Sequence, residues 1–149
     1  MASRQIERAH WAQQELARRL RRSNAARLFG FELEAAEAGR AVVRMRVKAK
    51  HRQVYGVAHG GVVAALADTA GGMASYTVLP RGTRLATVEM KINFLEPVER
   101  GTLRAEARVL RRGNNFAVAD CDVLDSSGRL VAKALMTFSI GRVGKKRRR

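Results

Sequence analysis

The chain's most reactive combination is a single carboxylate, Asp68, set in an otherwise apolar or small stretch from Val62 to Ser75 that opens on His59, Gly60 and Gly61. A helix with no polar face is a buried one. An unpartnered carboxylate in such a place costs several kcal/mol, so Asp68 needs either a partner or a chemical task. The glycine start supplies the opposite polarity. The first amides of a helix have no partner inside it and carry about half a positive charge, and glycine leaves them open to an incoming carbonyl oxygen. These groups are seven or eight positions apart, which is about 10 to 12 Å along the axis at roughly 1.5 Å per residue. One helix therefore cannot present both to the same reacting carbon. Two copies can, with the helix start of one facing Asp68 of the other.

Other groups carry less weight. His59 stands just before the helix start, where an imidazole more often orients a loop than moves a proton. His10 and His51 have no neighbours at metal-ligand spacing, and with no Cys or His cluster no metal is expected. Ser75 lacks the G-x-S-x-G setting of a serine hydrolase. The one cysteine, Cys121, reads as a small buried strand residue.

The elements that must position Asp68 and the glycines follow from hydrophobic spacing. Ile6, Ala9, Leu16 and Leu20 recur at helical intervals between Ser3, a fitting N-cap, and Arg22. They predict an amphipathic helix packed loosely outside the domain, anchored by Trp11. A further turn from Asn24 to Phe29 stops at Gly30. From Phe31 the period becomes two, first to Glu37 and then over Ala41 to Lys48, where Val43, Met45 and Val47 alternate with Arg44, Arg46 and Lys48. The apolar helix follows and is closed by Pro80 and Gly82. Four more alternating runs, Ala86 to Leu95, Thr102 to Leu110, Phe116 to Leu124 and Leu130 to Ile140, are separated by turn signals such as Gly113-Asn114-Asn115 and Asp125 to Gly128. This order predicts an α+β fold: about six mainly antiparallel strands wrapped around one long central helix, with an extra N-terminal helix.

Composition sets the remaining bounds. At 149 residues with 46% hydrophobic content, one domain with a real core is expected. Residues 1–27 are expected to form an N-terminal helical segment, 28–141 the main domain and 142–149 a basic disordered tail. No run of about 18 apolar residues suggests a membrane span. The absence of an apolar leader and of a second cysteine points to the cytoplasm. The net charge of +16 comes from 29 Lys and Arg against 13 Asp and Glu, concentrated in the tail and at Arg18, Arg19, Arg21 and Arg22. No aromatic residues interleave with these clusters, so no specific nucleic-acid partner is expected.

The segment Gly56-Val57-Ala58-His59-Gly60-Gly61 leading into Leu66-Ala67-Asp68-Thr69-Ala70 resembles the hotdog-fold acyl-CoA thioesterases of the phenylacetate-pathway (PaaI-like) subfamily. Thr87 to Pro97 and Gly128 to Ala132 support the likeness, which runs from about Leu28 to Ile140. It implies hydrolysis of an acyl-CoA thioester to free acid and coenzyme A, for an aryl or medium-chain acyl group, by a homodimer or homotetramer paired through its sheets. No cofactor is implied, since coenzyme A is part of the substrate. Asp68 matches the family's acid, as general base or nucleophile, and Gly61, with Gly60 beside it, matches the amide that faces the thioester carbonyl. Gln53 matches a loop residue that is Asn in many relatives, and Thr87 a hydroxyl that helps to place water. A branch of the family has a hydroxyl one turn after the acid, where this chain has Gly72.

The phosphates of coenzyme A make Arg81, Arg84, Arg111 and Arg112, with Gly113 in the adjoining turn, the expected binding residues. Met73, Tyr76, Phe94 and Phe116 are expected to set pocket depth. Two other classes compete. A non-catalytic acyl-CoA-binding module, with basic ends on nucleic acid or membrane, would need no Asp68. A hotdog dehydratase or hydratase would need a His working with the acid, and His59 lies too close to the helix start for that.

Overall fold

The shift of hydrophobic period at Phe31 is where helix gives way to sheet. In the computed structural model, which describes the backbone of residues 2–141 and the side chains of residues 11–141, α1 (Ala2–Arg22) and α2 (Asn24–Phe29) precede β1 (Glu32–Glu37) and β2 (Arg40–Arg46). A short 3-10 turn, Ala49–His51, leads to α3 (Gly60–Tyr76), and β3 (Arg84–Phe94), β4 (Thr102–Arg112), β5 (Phe116–Leu124) and β6 (Leu130–Gly141) complete the order. The expected tail 142–149 and the side chains of Ile6 and Ala9 lie outside the described residues. Ser3 falls inside the first turn of α1 rather than at its cap. Among the described residues no helix is long and apolar enough to cross a membrane.

The six strands form one sheet in the order β1-β2-β4-β5-β6-β3, and every neighbouring pair is antiparallel. Alternation does its work in the middle of this sheet. Val43, Met45, Leu103, Ala105, Cys121 and Met136 are buried on one face. The other face carries ion pairs, Arg104 with Glu34 and Glu106, and Arg108 and Lys133 with Asp120. Burial by itself would raise the Asp120 carboxyl, but its bonds to Arg108 and Lys133 outweigh that and hold it below its ordinary range. Burial, with Asp122 and Asp120 nearby, pushes the Cys121 thiol up to about 12, so it is inert at neutral pH.

Helix α3 touches all six strands and buries Val63, Leu66, Ala67, Ala70 and Ala74 against the sheet. The sequence suggests that the sheet encloses every side of this helix. It does not: Gly61 is exposed, and Ala64, Ala65, Asp68, Thr69 and Gly72 are half-buried. Six strands about 4.8 Å apart span roughly 24 Å, enough to curl under a helix about 10 Å thick without closing over it.

Two further expectations are corrected. Helix α1 is not loosely attached, since Leu16 and Leu20 are each 3% exposed and belong to the main core with Ala26. Strand β3 does not turn a continuous apolar face to that core. Met90 and Ile92 pack against it, whereas Val88 and Phe94 are 56% and 54% exposed. The cause is position: β3 is a sheet edge, and its register with β6 slips between Thr87 and Glu89.

Gly71 sets how closely α3 sits. A Cβ there would lie 2.7 Å from Met136 Cε and 3.1 Å from Phe138 Cζ. Gly71→Val is therefore expected to cost about 1 to 3 kcal/mol through overpacking, enough to lower the thermal midpoint by several degrees. An unchanged midpoint would show that the helix has slack above the sheet.

Candidate active site

The start of α3 is fixed before the helix begins. The His59 N–H donates to the His51 carbonyl at 2.8 Å and the Ala58 N–H to the Val98 carbonyl at 2.7 Å. The backbone of His59 is extended, and its Nδ1 accepts from the Gly61 N–H at 2.9 Å. His59 is thus an N-cap, a role usually filled by Ser, Thr, Asn or Asp. The Gly61 amide, expected to receive a carbonyl, is consequently engaged by His59, and the open donor is its neighbour: Gly60 N–H has no partner among the described residues. Gly60 also lies close under Phe94, whose Cζ would be 3.2 Å from a Cβ at that position.

Asp68 sits two turns further along. Its Oδ1 accepts a hydrogen bond from Thr87 Oγ1 at 2.7 Å, so the structure brings together two residues that lie 19 positions apart in the chain. Helix α3 and strand β3 run antiparallel, with Gly60 beside Phe94 and Asp68 beside Thr87. The slip of register after Thr87 falls next to this contact. With one carboxylate oxygen tied down, the side chain is oriented and Oδ2 is left for other work.

A cleft of about 220 Å³ opens beside the pair. One wall is α3, through Asp68, Thr69, Gly72, Met73 and Tyr76; Leu85, Thr87 and Phe138 come from the sheet. The third wall is the joint between α1 and α2: Arg19, Leu20, Ser23, Ala25 and Ala26. Sequence reasoning missed this wall, because small and apolar residues in a helical joint carry no sign of what they will face. A second concavity of about 250 Å³, on the outer sheet face, is lined by Glu106, Arg108 and Asp120, whose charges are already paired with protein groups.

The other expected residues lie elsewhere. Gln53 Oε1 accepts from the Tyr55 N–H at 2.8 Å, so its side chain is turned back on its own loop and does not line the cleft. Arg81 lies 4.0 Å above the centre of the Trp11 ring, and Arg19 caps Tyr76 in the same way. Arg84 begins β3 opposite Gly141, while Arg111 and Arg112 end β4, where Gly113 N–H donates to the Phe116 carbonyl at 2.8 Å. Arg84, Arg111 and Arg112 share one end of the sheet, outside the cleft, and none of the three forms an ion pair among the described residues. Met73 and Tyr76 line the cleft; Phe94 stands at the helix start, and Phe116 is exposed at the tip of β5.

The residue pattern and geometry have counterparts. Residues 55–132 match the family model described as the thioesterase superfamily. The chain is 30% identical over 111 residues to acyl-coenzyme A thioesterase 13 of Pongo abelii, covering 73% of this chain and 79% of that one. Among solved structures, a thioesterase of Haemophilus influenzae superposes with a TM-score of 0.84 at 27% identity, over 91% of this chain and 94% of the other. The E. coli PaaI protein from the phenylacetic acid degradation operon superposes with a TM-score of 0.81 at 28% identity, over 88% and 94%.

The support beneath the helix start is pH-sensitive. His51 is 2% exposed; its Nδ1 accepts from the Lys48 N–H at 3.0 Å. Among the described residues Nε2 has no hydrogen-bond partner of good geometry, although the Arg46 and Phe29 carbonyls lie close enough to favour its proton. Burial, reinforced by the Lys50 charge, pushes the imidazole below its ordinary 6.5. The unfolded chain therefore takes up this proton at higher pH than the folded one. Stability from His51 is complete above about pH 6.5 and is lost as pH falls through the lower folded value. Thermal midpoints measured from pH 8 to 5 should fall on the acid side, and His51→Gln should fall less. Parallel curves would exclude His51 as the source.

Proposed function

The chain belongs to the thioesterase superfamily and is a thioester hydrolase of the hotdog fold, and from this premise we propose that it hydrolyses acyl-CoA thioesters at a site centred on Asp68. The observation that carries the reading is the Thr87–Asp68 hydrogen bond in the wall of a cleft large enough for an acyl group. An aryl or medium-chain acyl group fits the apolar walls supplied by Leu20, Met73, Leu85 and Phe138.

Two roles for Asp68 meet the chemistry. As a base it takes a proton from water while the water oxygen bonds to the thioester carbon; the C–S bond then breaks and the thiolate leaves to be protonated. As a nucleophile its free oxygen forms an acyl anhydride with loss of the thiolate, and water cleaves the anhydride. Either route develops negative charge on the carbonyl oxygen, which calls for a donor such as the Gly60 N–H. That donor is eight residues from Asp68, or about 12 Å along one helix, so the Gly60 of a second subunit supplies it. The free edge of β3, with Val88, Phe94 and Leu95 at least half exposed, is suited to such pairing, whether in a dimer or a tetramer. The unpaired arginines at the end of the sheet, Arg84, Arg111 and Arg112, are suited to the phosphates of coenzyme A.

Thiol release from a panel of acyl-CoA esters tests the reading. Asp68→Ala should lower kcat by at least about a hundredfold. Thr87→Val should lower it about 10- to 100-fold, the worth of one hydrogen bond to a charged group. Gly60→Pro removes the open amide at a helix position that accepts proline, and its Cβ requires the Phe94 ring to shift by a few tenths of an ångström. Mixed dimers of Asp68→Ala with Gly60→Pro should regain about one working site per pair. Wild-type protein that releases no thiol from any ester, or release that ignores Asp68, would overturn the assignment; verified mixed dimers without recovery would overturn the shared site.

A further inference from the structure

Glycine inside a helix is less stable than alanine, so the adjacent pair Gly71 and Gly72 in α3 needs explaining residue by residue. Gly71 is explained by the side chains of Met136 and Phe138 packed against it. Gly72 is not. Among the described residues a Cβ there would meet only Phe138 Cε1, at 3.9 Å, an ordinary contact, and its backbone is not in the left-handed region. Among the described residues neither packing nor conformation asks for glycine.

What Gly72 does border is the cleft. On α3 the lining runs Asp68, Thr69, Gly72, Met73, Tyr76, a track that leads from the carboxylate toward the C-terminal end of the helix and passes Gly72 one turn after the acid. The same cleft is lined by the joint of α1 and α2, where Ala25 is both exposed and part of the lining. That wall is held in place: Arg19 of α1 caps Tyr76 of α3, and Arg81 caps Trp11 of α1, each at 4.0 Å. A cleft of about 220 Å³ between fixed walls loses a useful share of its space to each added methyl group.

We propose that Gly72 and Ala25 are specificity-determining residues, whose missing side-chain volume keeps the track beside Asp68 open and sets the longest acyl group that the site accepts. This rests on the acyl-CoA thioesterase reading above. Short acyl groups end before Gly72, whereas longer ones must pass between it and Ala25. The helix gives up some stability to keep that passage open.

The test compares wild type, Gly72→Ala and Ala25→Leu for kcat/KM on acetyl-, butyryl-, hexanoyl-, decanoyl- and phenylacetyl-CoA, together with thermal midpoints and native mass. Gly72→Ala should raise the midpoint by about 2 to 4 °C, as a helical glycine-to-alanine change without strain does in a chain of this size. It should leave the shortest ester that wild type accepts within about twofold, and lower kcat/KM for the longest about tenfold or more, the range for one methylene in an apolar pocket. Ala25→Leu should shift the profile in the same direction from the other wall. Uniform losses across the panel, an unchanged profile, or a Gly72→Ala protein that loses stability or its wild-type mass would each overturn the inference. Wild-type protein inactive on every ester would instead overturn the thioesterase reading and this inference with it.

Discussion

Thr87 reaches the Asp68 carboxylate because α3 lies low on the sheet, and the bare backbone of Gly71 against Met136 and Phe138 is what lets it lie there. Raising the helix by the width of a side chain would lengthen a 2.7 Å hydrogen bond beyond any useful range. The core and the candidate chemistry therefore depend on the same contact. Packing of this kind resists small adjustments, because a close-packed interior passes strain along rather than absorbing it.

Much of this was legible in the sequence, and what was legible shares a cause. Strands β2 and β4 alternate cleanly because each lies in the interior of the sheet, with one face on the helix and one in water, so Val43, Met45, Leu103 and Ala105 declare their side. Gly30 and the apolar run of α3 are similarly local signals. The distance argument between the glycine start and Asp68 needed only the rise of a helix.

The rest was illegible because it is decided by neighbours distant in the chain. Strand β3 reads like the other strands, yet it is an edge, and half of its apolar side chains are uncovered in one subunit. Helix α1 reads as a loosely packed outer helix, yet Leu16 and Leu20 sit in the core, and α1 packs on β1 and α2. The Gly61 amide could be foreseen as an orphan of the helix start, but not that the preceding imidazole would satisfy it and pass the open position to Gly60. Gln53 shows the same limit, since its amide is spent on its own turn.

Sheet order also dictates when the site can exist. Strand β3 has one neighbour, β6, and Thr87 lies opposite Phe138, near the end of the domain. A chain emerging from synthesis can form the hairpins β1-β2 and β4-β5 early, since their partners are close in sequence. The strand that carries the Thr87 hydroxyl has nothing to pair with until β6 arrives. Pairing across such a separation must first meet the entropy of closing a long loop, so it is slower than pairing within a local hairpin. The carboxylate and its hydroxyl partner are therefore held in register only once β6 has joined β3, and a chain that lacks β6 carries the pieces of the site without their alignment.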